Sequence, residues 1–149
     1  MNKNGNSVGI IGLGIIGSRI AKTLQQKDWQ VSVWNRTSGK DPNALESPAE
    51  VARKSNVLQI FVRDGEALHQ VIDSIESSLT ADHIIVNHAT VSLEDTKSAN
   101  ERIISQGGSF LDCPFTGSRD AAAAGLLNYY VGGDQQLSLI HISEPTRPY

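Results

Sequence analysis

The sequence predicts an α/β fold: a doubly wound, mostly parallel sheet with helices on both faces. Three observations predict it. Short apolar runs alternate with amphipathic helical patterns along the 149 residues. Capping residues or glycines stand where the runs give way to helices. The first such junction, Gly12-Leu13-Gly14-Ile15-Ile16-Gly17, spaces its glycines as Gly-x-Gly-x-x-Gly between a strand and a helix. Parallel neighbours need crossover connections, and their right-handedness distributes the helices over both faces.

Each element has its own signal. Val8-Gly9-Ile10-Ile11 is an apolar strand. Gly12 then permits a tight turn, Gly14 lets backbone approach a pyrophosphate, and Gly17 brings the helix close to the strand. The spacing is the Rossmann-type dinucleotide fingerprint, with helix N–H groups and a positive dipole end facing the phosphates. A helix is predicted over 15–26, with Ile16, Ile20 and Leu24 on one face beside Ala21. Arg19, Lys22 and Lys27 fall on its solvated side. Gln30-Val31-Ser32-Val33-Trp34 alternates as a second strand, with Trp34 a core or edge aromatic. Ser47, Pro48 and Glu50 start the next helix as cap, first residue and capping-box acid. A third strand is predicted over 57–62, followed by Arg63 and by Asp64, which caps a helix over 65–77. Leu68, Val71, Ile72 and Ile75 form its stripe. Ile84-Ile85-Val86 is a buried strand leading into Asn87-His88-Ala89-Thr90. Ser92 and Asp95 start a helix that reaches about 106 and ends at Gly107-Gly108. Ser109-Phe110-Leu111-Asp112 is the next strand. His69, His83 and His88 read as structural residues.

Composition narrows the function. The length supports one domain. A net charge of −3 argues against a nucleic-acid partner. The single cysteine, Cys113, excludes an internal disulfide framework and fits a reducing compartment. No apolar run approaches the roughly 20 residues of a membrane span. The chain therefore reads as cytoplasmic, with neither leader nor membrane partner. No residue spacing suggests a metal site.

In such sheets ligands sit at the carboxyl ends of the strands. The second strand ends in Asn35-Arg36-Thr37, where an NAD site usually places an acidic residue for the ribose hydroxyls. Asn35 does not repel a 2′-phosphate, and Arg36 offers it a planar cationic fork. Thr37 and Ser38 add hydroxyls. The expected cofactor is NADP(H) rather than NAD.

At this point the chain resembles the β-hydroxyacid dehydrogenases, the superfamily of 3-hydroxyisobutyrate and 6-phosphogluconate dehydrogenases. Four stretches carry the likeness: the 12–17 turn, Val33-Trp34-Asn35-Arg36-Thr37, residues 87–92, and Asp112-Cys113-Pro114-Phe115-Thr116-Gly117-Ser118 with the glycines that follow. Together they cover about residues 7–136. The departures are Ile16 for a usual methionine, Ala89 for serine, Leu93 for proline, Thr116 for serine and Ser118 for a second glycine.

The resemblance implies roles. Backbone at Leu13, Gly14, Ile15 and Ile16 would hold the pyrophosphate between Gly12 and Gly17. Asn35, Arg36 and Thr37 would hold the 2′-phosphate. Val62, Arg63 and Thr90 would lie near the nicotinamide and its ribose. Thr116, Gly117 and Ser118 would bind a substrate carboxylate through hydroxyls and successive backbone donors. The implied activity is hydride transfer between NADP(H) and a small carboxylated hydroxyacid or semialdehyde, in a homo-oligomeric parent. The family's general acid is a lysine on a helix beyond this domain. Lys22, Lys27, Lys40, Lys54 and Lys97 have no route to the substrate, so no catalytic residue is assigned and the chain alone is expected to be silent. Two alternatives remain: an imine reductase, which shares the 33–37 run, and a non-catalytic dinucleotide-binding module.

Residues 137–147 read as the translation of a sequencing-library adapter, the alternative being a genuine short strand followed by a Pro-rich end. The expected organisation is a dinucleotide-binding domain over 1–136, incomplete at the C-terminus where a helix begins after Asp134, and a non-native tail over 137–149. One sheet edge is then expected to lie bare.

Overall fold

Each strand sends alternate side chains to opposite faces, and here both faces are covered. Strands β1 (Ser7–Ile11), β2 (Gln30–Trp34), β3 (Val57–Ile60), β4 (Ile84–Asn87) and β5 (Ser109–Asp112) form one sheet in the order β2-β1-β3-β4-β5. All four pairings are parallel, running from Ser7 opposite Gln30 to Asn87 opposite Asp112. This computed structural model describes residues 6–132. The expected boundary at 136, the helix after Asp134 and the tail from Leu137 lie outside the described residues.

The period of two builds two cores. Val8, Ile10, Ile84, Val86 and Leu111 face one, with Ile20, Ala21 and Leu24 of α1 (Ile15–Gln26). Ile11, Leu58, Ile60, Ile85 and Phe110 face the other. That second core is closed by α2 (Pro48–Lys54), α3 (Gly65–Ile75) and α4 (Leu93–Ser105). The near-continuous apolar strands are what a parallel sheet buried on both sides requires.

The helix starts follow the sequence. Ser47 Oγ, Asp64 Oδ1 and Ser92 Oγ accept from the N–H groups of Glu50, Ala67 and Asp95 at 3.3, 2.9 and 3.1 Å. The capping box differs in detail, because the Glu50 carboxylate reaches the N–H of Glu46, one residue before the cap. β3 ends at Ile60 rather than 62, and α3 tightens into a 3₁₀ turn at Glu76–Ser78. His69 ties α3 to Asp95 of α4 at 3.0 Å, and His83 donates to the Ala52 carbonyl at 2.7 Å.

After β5 the structure holds elements where the sequence shows only a turn. β6 (Phe115–Thr116) pairs antiparallel with β7 (Asn128–Tyr129), and α5 (Arg119–Ala124) lies between them. Ser118 Oγ caps α5 by accepting from the Ala121 N–H at 3.1 Å. α5 packs on α1, where Thr23 donates to the Ala123 carbonyl at 3.3 Å. An alanine helix of this length carries no apolar stripe, so periodicity missed it. The sheet edge expected to lie bare is met at its end, where Asp112 and Gly132 exchange backbone hydrogen bonds of 2.9 and 2.7 Å.

Candidate functional site

β1 lies between β2 and β3, and α1 and α3 leave the carboxyl ends of β1 and β3 toward opposite faces. That divergence opens a crevice at the topological switch point. A cleft of about 410 Å³ occupies it. It brings together Gly12 and Gly14 from the first turn, Asn35, Arg36 and Thr37 from the second strand end, and Val62 and Arg63 from the third. Phe61 and Trp34 also line it. Trp34 packs on the second core and donates through Nε1 to the Glu46 carbonyl at 3.3 Å.

The three glycines of the fingerprint divide by cause. Gly12 has φ +103°, and a Cβ there would run into the Phe61 carbonyl. A Cβ at Gly17 would run into the Gly12 carbonyl. Those two glycines answer to the protein's own packing. A Cβ at Gly14 meets nothing within 4 Å, so no protein group explains that glycine. The open volume beside it is where a pyrophosphate fits.

Electrostatics agree with that fit. Gly14 is the N-cap of α1, with no side-chain cap bond and no acid in the first turn. Among the described residues, every other α-helix has its first turn capped by a side chain: Ser47, Asp64, Ser92 or Ser118. The N–H groups of Ile15 and Ile16 have no intrahelical acceptor and stand at the positive end of the helix. Leu13 is buried and its N–H donates to Asn35 Oδ1 at 2.8 Å.

Asn35 is therefore a strut. Its Oδ1 takes the Leu13 N–H, and its Nδ2 donates to the Thr37 carbonyl at 2.9 Å. It ties the glycine turn to the 35–37 loop. Arg36 and Thr37 are the exposed groups of that loop. Among the described residues, the Arg36 guanidinium makes no hydrogen bond or salt bridge. Asp64 feels its charge. The Ala67 N–H holds the Asp64 carboxyl below its usual range, and Arg63 and then Arg36 add to this against the opposing effect of burial. Arg63 Nε lies 3.2 Å from Asp64 Oδ2, an exposed pair of little energetic weight.

Sequence reasoning missed the far wall of the cleft. Ala67, Gln70, Val71 and Ser74 of α3 form it. Their spacing of i, i+3, i+4, i+7 marks one helix face, a signal masked by the apolar stripe of the same helix.

The remaining site residues lie outside this cleft. Thr90 is exposed after a turn built by the buried Asn87, whose amide brackets Ala89 at 3.0 and 3.1 Å and donates to Asp112 at 3.0 Å. Burial pushes the Asp112 carboxyl up, against the Asn87 hydrogen bond. Thr116, Gly117 and Ser118 are exposed. The Ser118 oxygen is engaged as the α5 cap, which leaves its O–H to donate outward.

Among the described residues, no histidine, lysine or carboxylate lines the cleft. His88 is buried, and desolvation pushes its pKa down to about 4, against the Cys113 carbonyl bond. The ring is neutral at physiological pH. Burial, and then Asp112, push the Cys113 thiol up to about 12, so it is no thiolate. Among the described residues no lysine lines the cleft, no group of three potential metal ligands exists, and no helix is long and apolar enough to cross a membrane.

Comparison with known proteins agrees with this geometry. Residues 7–139 match the NAD binding domain of 6-phosphogluconate dehydrogenase. Glyoxylate/succinic semialdehyde reductase 1 of Arabidopsis thaliana is 32% identical over 140 residues, spanning 87% of this chain and 48% of that protein. The cytokine-like nuclear factor N-PAC of Mus musculus is 29% identical over 134 residues, spanning 87% of this chain and 24% of that protein. The chain thus spans about half the length of the first and a quarter of the second. The structure of Mycobacterium tuberculosis 3-hydroxyisobutyrate dehydrogenase with L-serine shares the fold, with a TM-score of 0.86 at 19% identity over 93% of this chain and 50% of that one. With its fingerprint, its switch-point cleft and its matched length, the chain belongs to the 6-phosphogluconate dehydrogenase type of NAD-binding domain, a nicotinamide-dinucleotide-binding oxidoreductase family.

Proposed function

We propose that the chain binds NADP(H) and forms the cofactor half of an oxidoreductase acting on a small carboxylated hydroxyacid or semialdehyde. One observation carries the cofactor preference. The cleft ends at the second strand in a neutral strut, Asn35, and an unpaired cation, Arg36, with no acidic residue to meet ribose hydroxyls. A charge-assisted contact from Arg36 to the 2′-phosphate is worth roughly 1.5–3 kcal/mol.

The substrate class rests on a relative and on one turn. The plant relative is named for glyoxylate and succinic semialdehyde, and both are carboxylated aldehydes. The exposed 116–118 turn offers hydroxyl and backbone donors to such a carboxylate. The bound cofactor supplies the hydride. Transfer leaves negative charge on the substrate oxygen, which needs a proton donor. Among the described residues no lysine lines the cleft, and we infer that the donor is supplied by another part of the protein. The chain alone is then a binder without turnover.

Calorimetric titration with NADPH and NADH tests this reading. Arg36→Ala should weaken NADPH by about tenfold to a hundredfold and leave NADH nearly unchanged. Equal losses for both cofactors would remove the phosphate role. Reduction of cyclic imines, and not of semialdehydes, by the full-length parent would replace the substrate class.

A further inference from the structure

Beneath the cleft floor one buried ring joins three strand ends. His88 follows β4 and stacks on Phe61, with centroids 4.4 Å apart and planes at 13°. Phe61 follows β3, lines the cleft and abuts Gly12 through its carbonyl. His88 Nδ1 lies 2.8 Å from the carbonyl of Cys113, which follows β5 and leads into the 114–118 turn. Nε2 lies 3.0 Å from the Gln59 carboxamide. A carbonyl only accepts, so Nδ1 carries the single proton of the neutral ring. Nε2 then accepts, and the Gln59 carboxamide, whose Oε1 stands at that 3.0 Å contact, turns over to meet it with its NH₂ group. Tyr129 and Phe115 close the ring in at centroid distances of 5.2 and 6.3 Å.

We propose that His88 is a positioning residue for the nicotinamide half of the cofactor, locking the Phe61 floor to the backbone that enters the 114–118 turn. The inference rests on the dinucleotide reading above. A dinucleotide straddles its pyrophosphate. Arg36 and Thr37 follow β2 on one side of β1, while Phe61 and Val62 follow β3 on the other. The nicotinamide half must then pass Phe61 and Val62 toward β4 and β5. Along that path the His88 ring touches both the floor and the turn, beside a direct Phe61–Phe115 contact with centroids 6.1 Å apart. It alone of these rings adds a hydrogen bond to the turn's leading backbone. It reaches no cofactor atom itself, because Phe61 lies between it and the cleft.

The test titrates the 149-residue chain and its H88F variant with NADPH and with 2′,5′-ADP, which has the adenosine and its 2′-phosphate but no nicotinamide. Phenylalanine keeps the stacking and deletes both hydrogen bonds. NADPH should weaken about tenfold and 2′,5′-ADP by less than about twofold. Equal loss for both ligands, or loss for neither, overturns the proposal. A second measurement needs no variant. In the ¹⁵N-labelled wild-type chain, NADPH should shift the His88 ring nitrogens and the amides of Cys113 and Phe115, while 2′,5′-ADP leaves them in place. Identical shifts with both ligands, or none with NADPH, overturn it even where H88F does not fold. A wild-type chain that binds neither ligand defeats the cofactor reading itself, an outcome distinct from the others.

Discussion

The β1–α1–β2 unit and the segment from β4 to β7 both place loops at the carboxyl edge of one sheet, yet they are held in opposite ways. The first is held by backbone. Gly12 and Gly17 exist because a Cβ would strike a carbonyl, and a single side chain, Asn35, ties the loops together. The second is held by buried side chains: Asn87 brackets the turn before Thr90, and His88 anchors Cys113. Their helix starts differ in the same sense. α1 begins at Gly14 with its donors unfilled, whereas α5 begins at Ser118 with its first turn satisfied from within. A helix start without an internal acceptor leaves its donors to water or to a ligand. A filled start serves the fold.

Substitution at Gly14 should break that contrast most sharply. Gly14→Val places a branched side chain in the open volume, where the protein itself has no atom within 4 Å. Cofactor affinity should fall more than about a hundredfold while the thermal melt stays within a few degrees. A normal titration would show that the turn is not the phosphate site. Gly14→Asp goes further by turning α1 into a helix like α5. It should cap the helix, raise stability by a few tenths of a kcal/mol and repel the phosphates. Tighter cofactor binding by this variant would contradict the assignment.

Acidification probes the other region. His88 has a folded pKa of about 4, below its unfolded value of 6.5. Its contribution to stability is therefore complete above pH 6.5 and is lost as the pH falls toward 4. The loss amounts to roughly 3 kcal/mol at most. Asp64 and Asp95, whose carboxyls are held below their usual range, lose their contributions at lower pH by the same logic, so the comparison with H88F isolates the ring. Urea denaturation of both proteins from pH 7.5 to 4.5 should show the wild type falling more steeply. Parallel curves would mean that the ring is not buried and neutral.

The smallest effect should come from Ser118→Ala. It removes the α5 cap at a stability loss of about 1 kcal/mol. NADPH affinity should not change, since the residue lies outside the cleft that holds Arg36. A loss of NADPH affinity seen by calorimetry would bring Ser118 itself into the cofactor site.

What the sequence by itself determined is the part held by local rules. Backbone sterics at Gly12 and Gly17, the caps at Ser47, Asp64 and Ser92, and the two periods of apolar residues each act within a few positions. Among the described residues they yielded the five parallel strands, four of the five helices, the tight Gly12–Gly17 turn and the 35–37 loop. Tertiary structure decided what depends on residues distant in the chain. α5 and the β6–β7 pair are short and lack periodic stripes, and packing of α5 on α1 and pairing of Phe115 with Tyr129 hold them. The α3 wall becomes a wall because the switch point opens beside it. Asn35 became a strut when Leu13, distant in sequence, offered its N–H across the loop. His88 gained its place because the ends of β3, β4 and β5 converge on one buried ring, and no spacing in a single segment encodes that convergence.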